Sequence, residues 1–171
     1  LDLRGGVPEP ARTMVIVPPL LSSVEGARAL VEHLEVHALG NLDPHIHFAL
    51  LTDFPDAPSE RLPGEDEVLA AAIAGIEALN ARYAPGTADR FYLFHRARRW
   101  NGSEGVWMGW ERKRGKIEEF NRLVRGATDT SFTVQVGDPA ILPRIRYCIT
   151  LDSDTRLPRD AARQLIGVIE H

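Results

Sequence analysis

Asp152-Ser153-Asp154 follow directly on the apolar run Tyr147 to Leu151. Two carboxylates one residue apart on an extended chain project to the same side. Converging carboxylates call for a cation. A hard divalent ion, Mg or Mn, which completes its shell with water and diphosphate oxygens, is the natural partner. The same residues also suit a plain turn, with one Asp opening it and the other capping a helix near Pro158. Asp53 is a second acidic strand end, following Ile46 to Leu51 and preceding Phe54-Pro55-Asp56. It could accept a hydrogen bond from a ribose or base edge, or simply shape a Pro-Asp turn.

Glu111-Arg112-Lys113-Arg114-Gly115-Lys116 set cations and a glycine ahead of a helix that carries Asn121. Phosphate groups could meet side-chain charge and backbone N–H groups together there, although a solvated surface run reads the same way. Trp100, Trp107 and Trp110 fall within eleven residues, among Arg98, Arg99 and Asn101. Their rings can stack on a sugar or a base, or pack against the domain. His33 and His37, with His45 and His47 nearby, raise the question of zinc. No His-Glu-x-x-His arrangement and no second cysteine supports it.

The elements that must position these groups alternate in type. Thr13 to Val17 is a short apolar strand closed by Pro18-Pro19, and Ser22-Ser23-Val24-Glu25 is a capping-box pattern for the next helix. Gly40 to Pro44 ends that helix before the strand Ile46 to Leu51. Leu69, Ala72, Ile73, Ile76, Leu79 and Tyr83 share one face of a second helix. The strand Phe91 to Phe94 comes next, then a loop from His95 to Arg114. A helix carrying Ile117, Phe120, Leu123 and Val124 stops at Gly126. The strands Phe132 to Val136 and Tyr147 to Leu151 precede a last helix that begins near Pro158 and buries Ala161, Ala162, Leu165 and Ile169. Such alternation predicts an α/β, three-layer, Rossmann-like fold, a mostly parallel sheet with helices on both faces. In such sheets ligands bind at the carboxyl ends of the strands, where the residues singled out above lie.

The 171 residues and 44% apolar content suit a single domain spanning 1–171, with 1–12 as a flexible lead-in. A net charge of −4 argues against a general polyanion binder, so no nucleic-acid partner is expected. Cys148 is alone, which excludes a disulfide framework and leaves a core thiol. No apolar stretch approaches the ~20 residues that cross a bilayer, and no signal peptide opens the chain. The start without methionine reads as a piece of something longer.

Taken in order, a strand ending in proline, an acidic strand end, a basic Gly-Lys segment opening a helix with Asn121, and Asp152-x-Asp154 resemble the nucleotide-binding half of inverting, family-two-like glycosyltransferases of the GT-A fold. The strings VWMGWERKRGKIEEFNRLVRGATDTSF (106–132) and YCITLDSDTRLPRDAARQL (147–165) sharpen this. Both resemble the glycosyltransferase region of cyclic β-1,2-glucan synthases, from about Thr13 onward. The resemblance implies UDP-glucose as donor, a growing β-1,2-glucan chain as acceptor, and a divalent cation held by Asp152 and Asp154. Pro18, Asp53, Arg114, Lys116 and Asn121 would complete the donor site, Asp53 towards the uridine and Lys116 with Arg114 near the phosphates or uracil. It further implies a multi-spanning parent at the cytoplasmic face of the bacterial inner membrane, with further domains in the same polypeptide. The general base would come from downstream, so no catalytic residue is expected within this chain and the piece alone should not transfer glucose. A haloacid-dehalogenase-like phosphatase is the enzymatic alternative, opposed by Arg156 standing where its threonine should be. A non-catalytic carbohydrate- or nucleic-acid-binding Rossmann-like domain is the other.

Overall fold

The computed structural model describes residues 3–83 and 88–171. Among the described residues seven strands form: β1 (Thr13–Val17), β2 (Ile46–Thr52), β3 (Phe91–Arg96), β4 (Arg99–Asn101), β5 (Val106–Met108), β6 (Phe132–Val136) and β7 (Tyr147–Thr150). Four α-helices accompany them: α1 (Val24–Leu39), α2 (Glu65–Tyr83), α3 (Arg112–Val124) and α4 (Ala161–Glu170). The main sheet runs β6-β3-β2-β1-β7, parallel throughout except for β6 at one edge. The expected α/β architecture with a mostly parallel sheet is therefore what forms.

Alternation along the strands builds two cores. Val15, Val17, Phe48, Leu50 and Leu93 face α1, α2 and α4, whereas Met14, Ile16, Ala49, Leu51, Tyr92 and Phe94 face Phe120 of α3 and the 139–144 turn. Because strands buried on both faces lose the polar half of their pattern, β1, β2 and β3 are continuous buried runs. The three layers are thus helices, sheet, helices.

Local chemistry sets the boundaries. Ser23 caps α1 by accepting the Gly26 amide at 2.9 Å. Gly26 rather than Glu25 holds the third helical position, so the expected box is reduced to its serine half. Gly126, at φ +97°, ends α3 as predicted. Its amide reaches Leu123 O and the next amide reaches Arg122 O, a Schellman arrangement.

Three details differ from expectation. The tryptophan-rich stretch is an antiparallel hairpin of β4 and β5 rather than a loop. Its three-residue strands are too short to show a period in sequence. Helix α4 begins at Ala161 and buries Ala162, Ile166 and Gly167, while Leu165 and Ile169 stay exposed and Ala161 is half-buried. The face that meets the sheet is turned from the one predicted, because Asn41 fixes the start of the helix by accepting the Ala162 amide. In the segment read as a lead-in, Leu3, Val7 and Ala11 are buried, and the Val7 amide donates to Asp43 Oδ2 at 2.8 Å. The histidines form no cluster suited to a metal among the described residues. His37 instead accepts the Leu157 amide, and His47 pairs with Arg12 and the Asp89 carbonyl.

Candidate functional site

After β1 the chain winds outward through β2 and β3, then returns to place β7 on the other side of β1. The direction of winding reverses between β1 and β7, and a crevice opens at that reversal, at the strands' carboxyl ends. A cleft of about 610 Å³ occupies the place, lined by Pro18 and Pro19 after β1, Asp53 after β2, Arg112, Lys113 and Lys116 of α3, and Ser153 after β7.

Its floor is a buried charge network. Arg96, at the end of β3 with no exposed side-chain surface, donates from Nε to Asp53 Oδ1 and from Nη2 to Oδ2, both at 2.8 Å. Its Nη1 reaches Glu119 Oε2 at 3.4 Å, and Glu119 also accepts from Ser131 Oγ at 2.6 Å. Lys116, 1% exposed, donates to the Pro19 carbonyl at 2.9 Å and stands 3.6 Å from Asp53 Oδ2. Burial pushes its ammonium down to about 8, against the pull of Asp53, with Arg96 adding to the depression. Two cations against two carboxylates leave the floor balanced, which is the condition for burying so much charge. Gly109 makes room for it, since a Cβ there would lie 2.5 Å from Asp53 Oδ2.

Arg96 also fixes the entry to α3. Glu111 and Arg112 both adopt left-handed backbone, at φ 52° and 49°, a conformation that costs about 1–3 kcal/mol per residue and persists where the surroundings impose it. The guanidinium holds the carbonyls on either side of Glu111, Trp110 O at 3.0 Å and Arg112 O at 2.9 Å. Gly115 is required by the same packing, because a Cβ would come within 2.0 Å of Trp110 O.

The rim is exposed. Strand β7 ends at Thr150, and Thr155 N returns to Asp152 O at 2.9 Å. Asp152, Ser153 and Asp154 therefore sit in a turn, and the strand-period reason for placing both carboxylates on one side does not apply to them. The turn is tethered at both ends, by Leu151 N to Ile16 O at 2.9 Å and by Asn41 Nδ2 to Pro158 O at 3.1 Å. Lys113 forms an ion pair with Asp152 across the cleft mouth. Arg112 Nη2 bridges Asp56 Oδ2 at 2.8 Å and Glu104 Oε1 at 2.9 Å.

Of the residues predicted to form the site, Pro18, Asp53 and Lys116 line the cleft, and Asp152 and Asp154 flank its Ser153. Arg114 points elsewhere, 77% exposed and paired with Glu111, and Asn121 lies two turns along α3, outside the lining. Sequence reading missed Arg96 and Glu119, and took Arg114 rather than Lys113 from the basic run. An arginine ending the apolar run Phe91 to His95 was the available signal for the first.

No protein-family model matches the chain. It is 49% identical over 170 residues, 99% of its length, to the cyclic beta-(1,2)-glucan synthase NdvB of Rhizobium meliloti (strain 1021), and spans 6% of that much longer protein. Over nearly its whole length, then, the chain is similar to one stretch of a cyclic β-(1,2)-glucan synthase.

Proposed function

We propose that the cleft binds a sugar nucleotide, UDP-glucose, as the donor site of an inverting glycosyltransferase that builds cyclic β-1,2-glucan. One observation carries this reading: α3 opens on the cleft with Arg112, Lys113 and Lys116 and no acidic residue in its first turn. Cations at the positive end of a helix dipole oppose the usual preference. An anionic ligand resolves that conflict, and a diphosphate at the switch point of a parallel sheet is the ligand such a place accommodates. The relative's name supplies glucan synthesis as the context.

Asp152 and Asp154 are exposed carboxylates at the cleft's edge, and no group of three or more His, Cys, Asp or Glu side chains among the described residues is arranged for a metal. That donor set fits a hard ion that keeps water and phosphate oxygens in its shell, Mg or Mn, and does not fit a closed zinc site. Bound there, such an ion would neutralise charge developing on the departing UDP. Lys113, now on Asp152, is placed to turn to a phosphate oxygen. Lys116, buried beside Asp53, is held beneath it by the Pro19 carbonyl. The base that takes the acceptor proton belongs to the acceptor-binding half, which the remaining domains of the larger polypeptide supply at the inner membrane. The glycosyltransferase half-fold presented by these residues binds donor and leaves transfer to that larger protein.

Calorimetric titration of UDP, ADP and GDP with and without Mn tests the reading. Binding selective for UDP and dependent on Mn is expected. Equal binding of all three, or binding indifferent to Mn, would contradict it.

A further inference from the structure

The β4–β5 hairpin is not used by the donor site, yet it carries Trp100 and Trp107, and Trp110 follows it at the entry to α3. Trp100 and Trp107 face each other across the ladder with ring centroids 5.8 Å apart. Trp107 is half-buried and pinned by reciprocal backbone bonds with Ala57, at 2.8 and 2.9 Å. Trp100 and Trp110 remain 56% and 42% exposed. Trp110 is braced by α3, since a Cβ on Gly115 would lie 2.8 Å from its Cε3. Beside the two exposed indoles is a hollow of about 430 Å³, edged by Arg99, Asn101, Ser103, Glu104 and Glu111. Asn101 Oδ1 accepts the amides of Ser103 and Glu104 at 3.0 and 3.1 Å, so the hairpin tip is held in shape before any ligand arrives.

The composition of the hollow narrows its occupant. An apolar helix laid there would strip water from carboxylates without replacing their hydrogen bonds. A phosphate-rich ligand would meet two carboxylates, Glu104 and Glu111, against the single cation Arg99. A neutral pyranose chain has apolar ring faces for the indoles and hydroxyl donors for the carboxylates, and satisfies both. The position also suits it. Arg112 joins Glu104 of the hairpin to Asp56 of the cleft, so the hollow adjoins the proposed donor site.

We infer that Trp100 and Trp110 form a glucan-binding subsite that holds glucosyl residues of the acceptor or product chain beside the donor cleft. The choice of glucan as the carbohydrate rests on the function proposed above. The subsite itself stands on the hairpin's geometry.

The test uses the full-length protein and two ligands titrated separately, a short linear β-1,2-glucan and UDP-glucose with Mn. Trp100→Ala and Trp110→Ala should each weaken glucan binding about tenfold, the scale of one lost aromatic contact. Trp100→Phe and Trp110→Phe should recover most of it, and UDP-glucose affinity should stay within about twofold throughout. Alanine variants that bind glucan as the unmodified protein does would overturn the inference, as would glucan and UDP-glucose affinities that fall together. The second result would assign the tryptophans to contacts within the polypeptide. If glucan binding depends on the tryptophans while no form binds UDP-glucose, the donor reading fails and the subsite stands. If UDP-glucose binds and glucan does not, the subsite fails and the donor reading stands.

Discussion

The floor and the rim of the cleft are both rich in charge, and they differ in what holds that charge. Arg96, Asp53, Lys116 and Glu119 are buried, and each has partners within the protein. Asp152, Asp154 and Lys113 are exposed, in a turn and a helix start that face solvent. Buried charge that is fully paired positions backbone, because removing any one member strands the others. Exposed charge is available to a ligand and adds little to stability. The floor therefore builds the site and the rim uses it.

The sharpest way to break that comparison is at Arg96. Arg96→Met leaves Asp53 with Lys116 alone and Glu119 with Ser131 but no cation, and frees the two carbonyls flanking Glu111. A loss of about 3–5 kcal/mol in urea denaturation is expected. A loss under about 1 kcal/mol would mean that the floor relaxes around the change. Gly115→Ala comes next, at about 1–3 kcal/mol, because the obstructing atom is the Trp110 backbone oxygen rather than a side chain that can turn away. Van der Waals crowding rather than charge is tested there, against the same urea midpoint.

A pH series probes two buried histidines without a ligand. His95, donor or acceptor to Thr52 Oγ1 at 2.8 Å, and His47 are both held down at about 4 by burial. Their folded values lie below the ordinary 6.5, so the unfolded chain takes up protons first as the pH falls. Stability is fully present above 6.5 and is lost as the pH falls towards 4. His95→Gln should flatten this slope in acid denaturation curves. A slope unchanged by the substitution would place the lability elsewhere.

How far the sequence disclosed this site follows from the same contrast. Thr13–Val17 and Phe132–Val136 coincide with the predicted strands, because a buried apolar run closed by proline and an alternating edge strand are both local signals. Asp152, Asp154, Asp53 and Lys116 were legible because charge at a strand end or helix start is conspicuous against an apolar background. Arg96 and Glu119 were not, since their meaning depends on which strand and helix meet, and neither partner is near in sequence. The face of α4 was misjudged for the same reason, its rotation being set by Asn41 from the far end of α1. Arg114 was overestimated because consecutive helical residues project about 100° apart, so it points away from the cleft that Lys113 lines, and a list of neighbouring cations does not show that.

The most direct test of the division between floor and rim is Asp154→Ala, measured twice on the same preparation. Its urea midpoint should match that of the unmodified chain within about 0.5 kcal/mol, while calorimetric binding of UDP in the presence of Mn is abolished. An Asp154→Ala chain that binds UDP as tightly as the unmodified one, with Mn still required, would contradict the assignment of ligand binding to the acidic turn.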